Sequence, residues 1–496
     1  MKKLLVANRG EIAIRVMRSA REMGIKTVAV YSEADRDALH VRYADEAVLI
    51  GPAPSSQSYL VMDRILQAAA DTGADAIHPG YGFLSENAVF ADRVKEAGLI
   101  FVGPSGDSMR QMGSKLAAKA TAEQHNIPLV PGTAKAIESV EEGKSVAQKI
   151  GFPLLIKASA GGGGKGMRIV HEIGEFEEQM RLAVSEAISS FGDGAVFIER
   201  YVAGPRHIEI QVLGDTHGNV VYLFERECSI QRRHQKVVEE APSSVLTPEI
   251  RSAMGECAVR VAKACKYVGA GTVEFLLDEK MNFYFLEMNT RLQVEHPVTE
   301  YITGLDLVKE QIMVARGERL SFSQKDLKIN GHSIEIRVCA EDPANNFLPD
   351  IGRLSTYQIP QGPGVRVDDA YEEGMEIPIY YDPMIAKLIV HGKDRHEALE
   401  RMVRAIDDYR ISGVKTTLEF CRLVMRHEAF VSGNFDTHFV KNHFHPEQLE
   451  SKDVEAMEVA AYLAAKILKD PSAGTLRTVS SSEGAISSAW KNNRLN

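Results

Sequence analysis

The rhythm of apolar and polar positions changes along the chain, and the changes divide it. Over residues 1–113, short apolar runs (KKLLVA, KTVAVY, AIHPGYG at 76–82, LIFVG at 99–103) alternate with amphipathic stretches, the first over 11–23. Strands separated by helical patterns of about 10–15 residues imply βαβ units and a parallel sheet. Glycine-bearing turns follow the strands, where open α/β sheets bind ligands.

From 114 to 316 the pattern predicts helices over 114–125, 174–190 and 248–267. Strands rich in β-branched residues fall at 154–158, 167–171, 195–199, 207–213, 219–224, 271–277 and 283–288. GDTHG (214–218) and DEKMN (278–282) read as hairpin turns, so this region is expected to be α+β around antiparallel sheets. A third piece, 317–446, carries strands near 332–340, 365–368 and 384–391 and a helix over 396–410. An amphipathic helix is predicted over 452–469. The last ~25 residues, rich in Ser, Gly and Asn, bury too little apolar surface to offset ordering entropy.

Composition narrows the function classes. A chain of 496 residues exceeds one hydrophobic core, so about three domains are expected. No apolar run approaches the ~20 residues of a membrane span. The run before Asn8 and Arg9 is too short for an export signal. The net charge of −10 disfavours nucleic acid and anionic membranes as partners. Five scattered cysteines without a CxxC pair argue against a disulfide framework or structural zinc and suit a reducing cytoplasm.

Four segments carry chemistry. In LIKASAGGGGKGMRIV (155–170), a strand bearing Lys157 enters Gly161, Gly162, Gly163 and Gly164, then Lys165, Gly166 and a second strand. Such a hairpin lets backbone N–H groups approach phosphates. It is not a Walker loop, because Ser159 stands where its first glycine belongs and Gly166 follows the lysine. Glu274 and Glu287 lie on short apolar strands of one hairpin; with Asn289 they suit Mg²⁺, a hard cation that prefers oxygen. MNTRLQVEHPVTE (288–300) crowds Arg291, Gln293, Glu295 and His296 after a buried strand. Arg291 could grip a small planar anion bidentately, and Glu295 could act as base. His296 reads as a hydrogen-bonded structural histidine, held extended by Pro297. In ERECSIQRRHQKVVEEAPS (225–243), Arg232, Arg233, His234 and Lys236 follow Glu225, Arg226 and Glu227, which suggests a buried polar network at a phosphate site.

Together with ANRGEIAIR and HPGYGFLSEN, these motifs make residues 1–445 resemble biotin carboxylases of the ATP-grasp superfamily. The resemblance implies a Rossmann-like N-terminal domain (1–113), an ATP-grasp domain (114–316) with a mobile lid (131–203), and a biotin carboxylase C-terminal domain (317–446). Lys115 and Lys157 would meet nucleotide phosphates, with Gly163, Gly164, Lys165 and Gly166 in the lid. Glu199 and the Val202 backbone would receive adenine, with His207, Gln231 and His234 nearby. Glu274, Glu287 and Asn289 would hold Mg²⁺ or Mn²⁺. Lys236, Arg291, Gln293 and Val294 would bind bicarbonate or carboxyphosphate, with Glu295 as base. Arg337 would stabilise the biotin enolate; its plain structural reading is a strand arginine paired with Glu335 or Glu341.

The sequence holds no Ala/Val-Met-Lys-Met carrier signature, so biotin is expected on a separate carrier protein. A carboxyltransferase partner and a homodimer follow from the resemblance. The rival readings are another ATP-grasp ligase, which would share the glycine loop and metal carboxylates, and a non-enzymatic nucleotide-binding regulator.

Overall fold

The computed structural model describes residues 1–133, 135–137, 139–159, 166–233, 235–449, 461–462 and 464–466. Gly163, Gly164, Lys165 and His234 lie outside the described residues, as does most of the expected tail helix, of which 461–462 and 464–466 are helical. Residues Met1–Pro446 form one compact unit and Glu447–Asn496 a second.

The N-terminal strands β1 (Lys3–Val6), β2 (Lys26–Ser32), β3 (Glu46–Gly51), β4 (Ala76–His78) and β5 (Ile100–Phe101) form a parallel sheet in the order β3-β2-β1-β4-β5. Leu4, Leu5 and Val6 are wholly buried. A continuous apolar run is what a strand covered on both faces requires. The turn after β4 is clamped: Asn8 Nδ2 donates to Pro79 O at 2.8 Å and Tyr81 O at 2.7 Å. Gly80 sits at φ +64, and a Cβ there would lie 2.8 Å from Asn8 Nδ2, so the close approach needs glycine.

Strands β6 (Leu154–Ala158), β7 (Met167–Val170) and β8 (Val196–Arg200) make a separate antiparallel sheet, order β7-β6-β8, backed by the helices Val140–Ile150 and Phe176–Phe191. Its small core is closed by Phe176, Met180 and Ala183.

The largest sheet is antiparallel and eight-stranded. It contains β9 (Arg206–Gly214), β10 (Val220–Arg232), β11 (Gln235–Ala241), β12 (Gly269–Leu277), β13 (Phe283–Asn289) and β14 (His332–Cys339), in the order β13-β12-β9-β10-β11-β14, then Met384–Gly392 and Val365–Asp369. It runs across the expected boundary at 316/317, because β11 pairs with β14 (Val238↔Ile336). Strand alternation divides its residues between two faces. Ile208, Ile210, Val212, Val273 and Phe275 point into one apolar core, and Ile334, Ile336, Leu388 and Val390 into another. The intervening positions are polar: Glu287 faces Glu274, Glu274 faces Glu209, Glu209 faces Arg226, Glu239 faces Glu335, and Arg337 faces Lys387. One face of one sheet thus gathers charges that the sequence spreads over more than a hundred positions.

Two local expectations are corrected. The strand expected over 219–224 continues to Arg232, through register shifts after Tyr222 and after Glu227, and most of its charged half is buried too. His296 is not extended: it opens the helix His296–Thr303, whose first turn has no intrahelical acceptor waiting for proline's missing N–H. Its Nδ1 lies 2.8 Å from Gln293 O, as a structural histidine requires.

Candidate active site

The polar face of the large sheet floors a cleft of about 940 Å³, and β6 and β8 of the small sheet form its opposite wall. Every described site residue expected from sequence lines it except Gly166, which sits at φ +70 in the turn entering β7.

At one end stand lysines. Lys157 Nζ lies 2.6 Å from the Glu199 carboxylate, and Lys119 makes a second ion pair to the same group. Lys119 also lies 4.0 Å over the Phe197 ring. Lys115 opens the helix Lys115–Gln124, one turn before Lys119 on the same face. Burial pushes the Lys115 and Lys119 ammonium groups down, and their acidic neighbours only partly restore them. Burial pushes the Glu199 carboxyl up, but Lys157 and Lys119 outweigh it and hold it low. Glu199, expected beside adenine, lines the cleft and has its carboxylate paired with two lysines. Val202, His207 and Gln231 also line the cleft, Gln231 standing opposite Lys236 and donating to Cys228 O at 2.8 Å.

At the other end cations and carboxylates are matched to one another. Lys236 Nζ donates to Glu209, to Glu295 at 2.6 Å and to Glu274 at 3.1 Å. Arg337 Nη2 reaches the other Glu295 oxygen at 3.1 Å, and its Nε donates to Glu239 at 2.7 Å. Arg337 therefore pairs with neither Glu335 nor Glu341. Burial pushes Glu295 up, but Lys236, Arg337 and Arg226 outweigh it, and the carboxyl lies well below the usual range. Glu295 is thus a carboxylate held between two cations. Behind it, wholly buried Arg226 donates to Glu209, Gln211, Thr299, Thr272 and Gln293. Arg206 pairs with Glu227 at 2.8 Å and Arg251 with Glu225 at 2.7 Å.

Between the two ends lies the carboxylate pair. Glu274 accepts from Asn289 Nδ2 and Gln293 Nε2, each at 2.9 Å, and stands 2.9 Å from His207 Nε2. Burial is outweighed by Lys236 and His207, so its carboxyl is held well below the usual range. Across the register, Glu287 meets no hydrogen bond or ion pair among the described residues. Burial and then Glu274 push it up, with Lys115 only partly opposing. Two adjacent carboxylates, one lacking a counter-charge, together with the Asn289 amide oxygen, fit a hard divalent cation.

Arg291 is held by Glu86, Nε to Oε2 at 2.9 Å, and by Asn289 Oδ1 at 3.2 Å. Glu86 also accepts from the Thr290 backbone N–H at 3.0 Å. The Val294 carbonyl accepts from Lys387 at 2.9 Å. Sequence reasoning missed Lys119, Glu209 and Glu86 as site residues. Lys119 was signalled by its four-residue spacing from Lys115, and Glu209 by the polar row His207, Glu209, Gln211 alternating with apolar neighbours. Glu86 lies within HPGYGFLSEN, but only the fold brings it to Arg291.

Comparison with known proteins agrees with this geometry. The description "Biotin carboxylase, N-terminal domain" matches residues 1–109, "Carbamoyl-phosphate synthase L chain, ATP binding domain" 114–323, and "Biotin carboxylase C-terminal domain" 335–442. A pyruvate carboxylase subunit of Methanothermobacter thermautotrophicus is 55% identical over 438 residues, covering 88% of this chain and 89% of that protein. Biotin carboxylase 1 of Bacillus subtilis is 53% identical over 444 residues, covering 89% and 99%. Among solved structures, the biotin carboxylase domain dimer of Hydrogenobacter thermophilus 2-oxoglutarate carboxylase, in complex with MgADP, ADP and bicarbonate, superposes with a TM-score of 0.87. It is 49% identical and covers 91% of this chain and 99% of that one. A Campylobacter jejuni biotin carboxylase bound to a β-γ-ATP ligand gives 0.87 at 47% identity, covering 89% and 99%.

Proposed function

The chain belongs to the biotin carboxylase family, and from that premise we propose how its cleft works. The activity is that of an ATP-dependent ligase: bicarbonate and ATP give carboxyphosphate, and biotin on a carrier is carboxylated. The observation that carries the residue assignment is the Glu295 carboxylate, held between Lys236 and Arg337 in the cleft.

Glu295 takes the proton of bicarbonate, whose oxygen then attacks the γ-phosphorus of ATP; the bond to the ADP oxygen breaks and carboxyphosphate forms. Lys236, Arg291, Gln293 and the Val294 backbone hold the anion. Lys115 and Lys157 meet the phosphates, and phosphoryl transfer asks for such positioning and charge neutralisation more than for covalent chemistry. Glu274, Glu287 and Asn289 would hold Mg²⁺ or Mn²⁺, which supplies neutralisation of phosphate charge. Carboxyphosphate cleaves to CO₂ and phosphate, the phosphate takes the biotin N1 proton, and N1 bonds to CO₂. Arg337 faces the ureido oxygen as charge develops there. Residues 131–203 act as the lid that keeps water from carboxyphosphate.

The domain divisions at 113/114 and 316/317 belong to the same reading; the matched segments break between 109 and 114 and between 323 and 335, the second break lying beyond 316/317. We assign a biotin carboxyl carrier protein or domain and a carboxyltransferase as partners, a homodimer as the assembly, and the cytoplasm as the compartment. No described helix is long and apolar enough to cross a membrane. The test is ADP release from MgATP: it should require bicarbonate and rise with free biotin. ADP release indifferent to both would return the chain to another ligase reaction.

A further inference from the structure

Behind Arg337 lie two glutamates that the mechanism above does not use. Glu239 on β11 and Glu335 on β14 are register partners in the antiparallel sheet and are wholly buried. Directly opposed residues in such a pair hold their Cβ atoms about 4.5–5.5 Å apart. Glu239 Oε1 accepts from Arg337 Nε, but its Oε2 and both Glu335 oxygens have no hydrogen-bond partner among the described residues. Orphaned buried polar atoms are rare and call for an explanation. Two carboxylates at this spacing in a dry sheet do not both ionise.

We propose that Glu239 and Glu335 share one proton as a carboxyl pair, and that this pair positions the Arg337 guanidinium for the substrate. The proposal rests on the role given to Arg337 above. A shared proton supplies the donor that the orphaned oxygens lack and leaves Glu239 anionic toward Arg337. The guanidinium is then fixed at Nε by Glu239 and at Nη2 by Glu295, with Nη1 unbonded among the described residues and available to a ligand.

The groups facing the pair agree. Lys387, opposite Arg337 on the next strand, is committed to Val294 O at 2.9 Å and stands 3.3 Å from Glu11, so it is not free to neutralise Glu335. Glu295 and Tyr81 face it from the segments packed over the sheet, Lys236 lies on Glu239's own strand, and the Cys228 and Cys421 thiols complete the surroundings. Burial pushes Glu335 well above the usual carboxylate range, with Lys387 only partly opposing. It pushes Glu239 to about 7 against the pull of Arg337.

Two variants test the pair. A carboxyl kept protonated above its unfolded value contributes full stability below pH ~4.3, and that contribution is lost as pH rises toward the folded value. Glu335→Gln keeps the neutral shape and removes the loss. It should melt about 1–3 °C above wild type at pH 8 and close to it at pH 5. A lower melting temperature at pH 8, as expected for an ionised partner of Lys387, overturns the shared proton. Glu239→Gln should lower kcat for biotin-dependent ADP release about tenfold while KM for MgATP stays within about twofold. Unchanged kcat, or a fall matched by an equal rise in KM, overturns the positioning role. A wild-type chain inactive with MgATP, bicarbonate and biotin would sink the functional reading, yet the melting comparison would still stand or fall alone.

Discussion

The two ends of the cleft are built on opposite principles. At the lysine end, Lys119 and Lys157 share the Glu199 carboxylate and Lys115 stands one helical turn before Lys119, so positive charge is in excess before a ligand arrives. At the sheet end, Lys236, Arg226 and Arg337 are each matched to carboxylates on neighbouring strands, and the hydrogen bonds form a closed network. The first end awaits an incoming anion and gains its counter-charge on binding. The second is preorganised and has no reorganisation left to make when charge develops. Binding and turnover are therefore expected to separate along the cleft.

The largest effect should come from breaking the preorganised end at its centre. Glu295→Gln and Arg337→Met are each expected to lower kcat more than ~10²-fold, with KM for MgATP changed only a few-fold, as read from steady-state ADP release. A large rise in KM with kcat intact would mean that this end binds rather than reacts, and the contrast would collapse.

The network should also be the costlier end to damage structurally. Arg226→Met leaves Glu209 buried beside Lys236 alone and strips donors from Gln211, Thr299, Thr272 and Gln293. Removing one partner of a buried pair costs about 3–5 kcal/mol, and denaturant unfolding of this variant should show a loss of that order. The matching change at the lysine end, Lys119→Met, leaves Glu199 paired with Lys157 and should cost less than half as much. Equal losses would remove the distinction between a closed network and a shared counter-ion.

Lys119→Met sharpens the same contrast functionally. When Lys157 turns to the phosphates, Lys119 remains as the cation that keeps buried Glu199 compensated. Without it, Lys157 is held back, and KM for MgATP should rise about tenfold, or ~1.4 kcal/mol, while kcat stays within about twofold.

This division explains what the sequence could and could not reveal. Periodicity found β9 and β12 by alternation and the helix Pro248–Ala264 by its period, but not β11 or the helices Val140–Ile150 and Leu307–Ala315. The candidate residues were legible where they cluster, as at Arg291, Gln293 and Glu295. What remained hidden is register. The hairpin brings Glu274 to Glu287, but nothing local says that Glu274 also stands opposite Glu209, or that Glu239 stands opposite Glu335. For that reason Arg337 was given the wrong alternative partners, and the double commitment of Glu199 went unseen.

The smallest effect is one of pH, and it tests the comparison without mutation. Burial has lowered the Lys115 and Lys119 ammonium groups, so as pH rises they lose charge before an exposed lysine would. Lys236 and Arg337, raised by their carboxylate partners, keep theirs. Glu295, held well below the usual range, stays ionised throughout. Because kcat/KM reports the free enzyme and kcat the bound complex, kcat/KM for MgATP should fall about two- to threefold between pH 7.5 and 9 while kcat holds level. Lys119→Met should flatten that fall, since one of its titrating groups is gone. If kcat declines in parallel with kcat/KM, the group losing its proton belongs to the sheet end, and the two ends are not chemically separate.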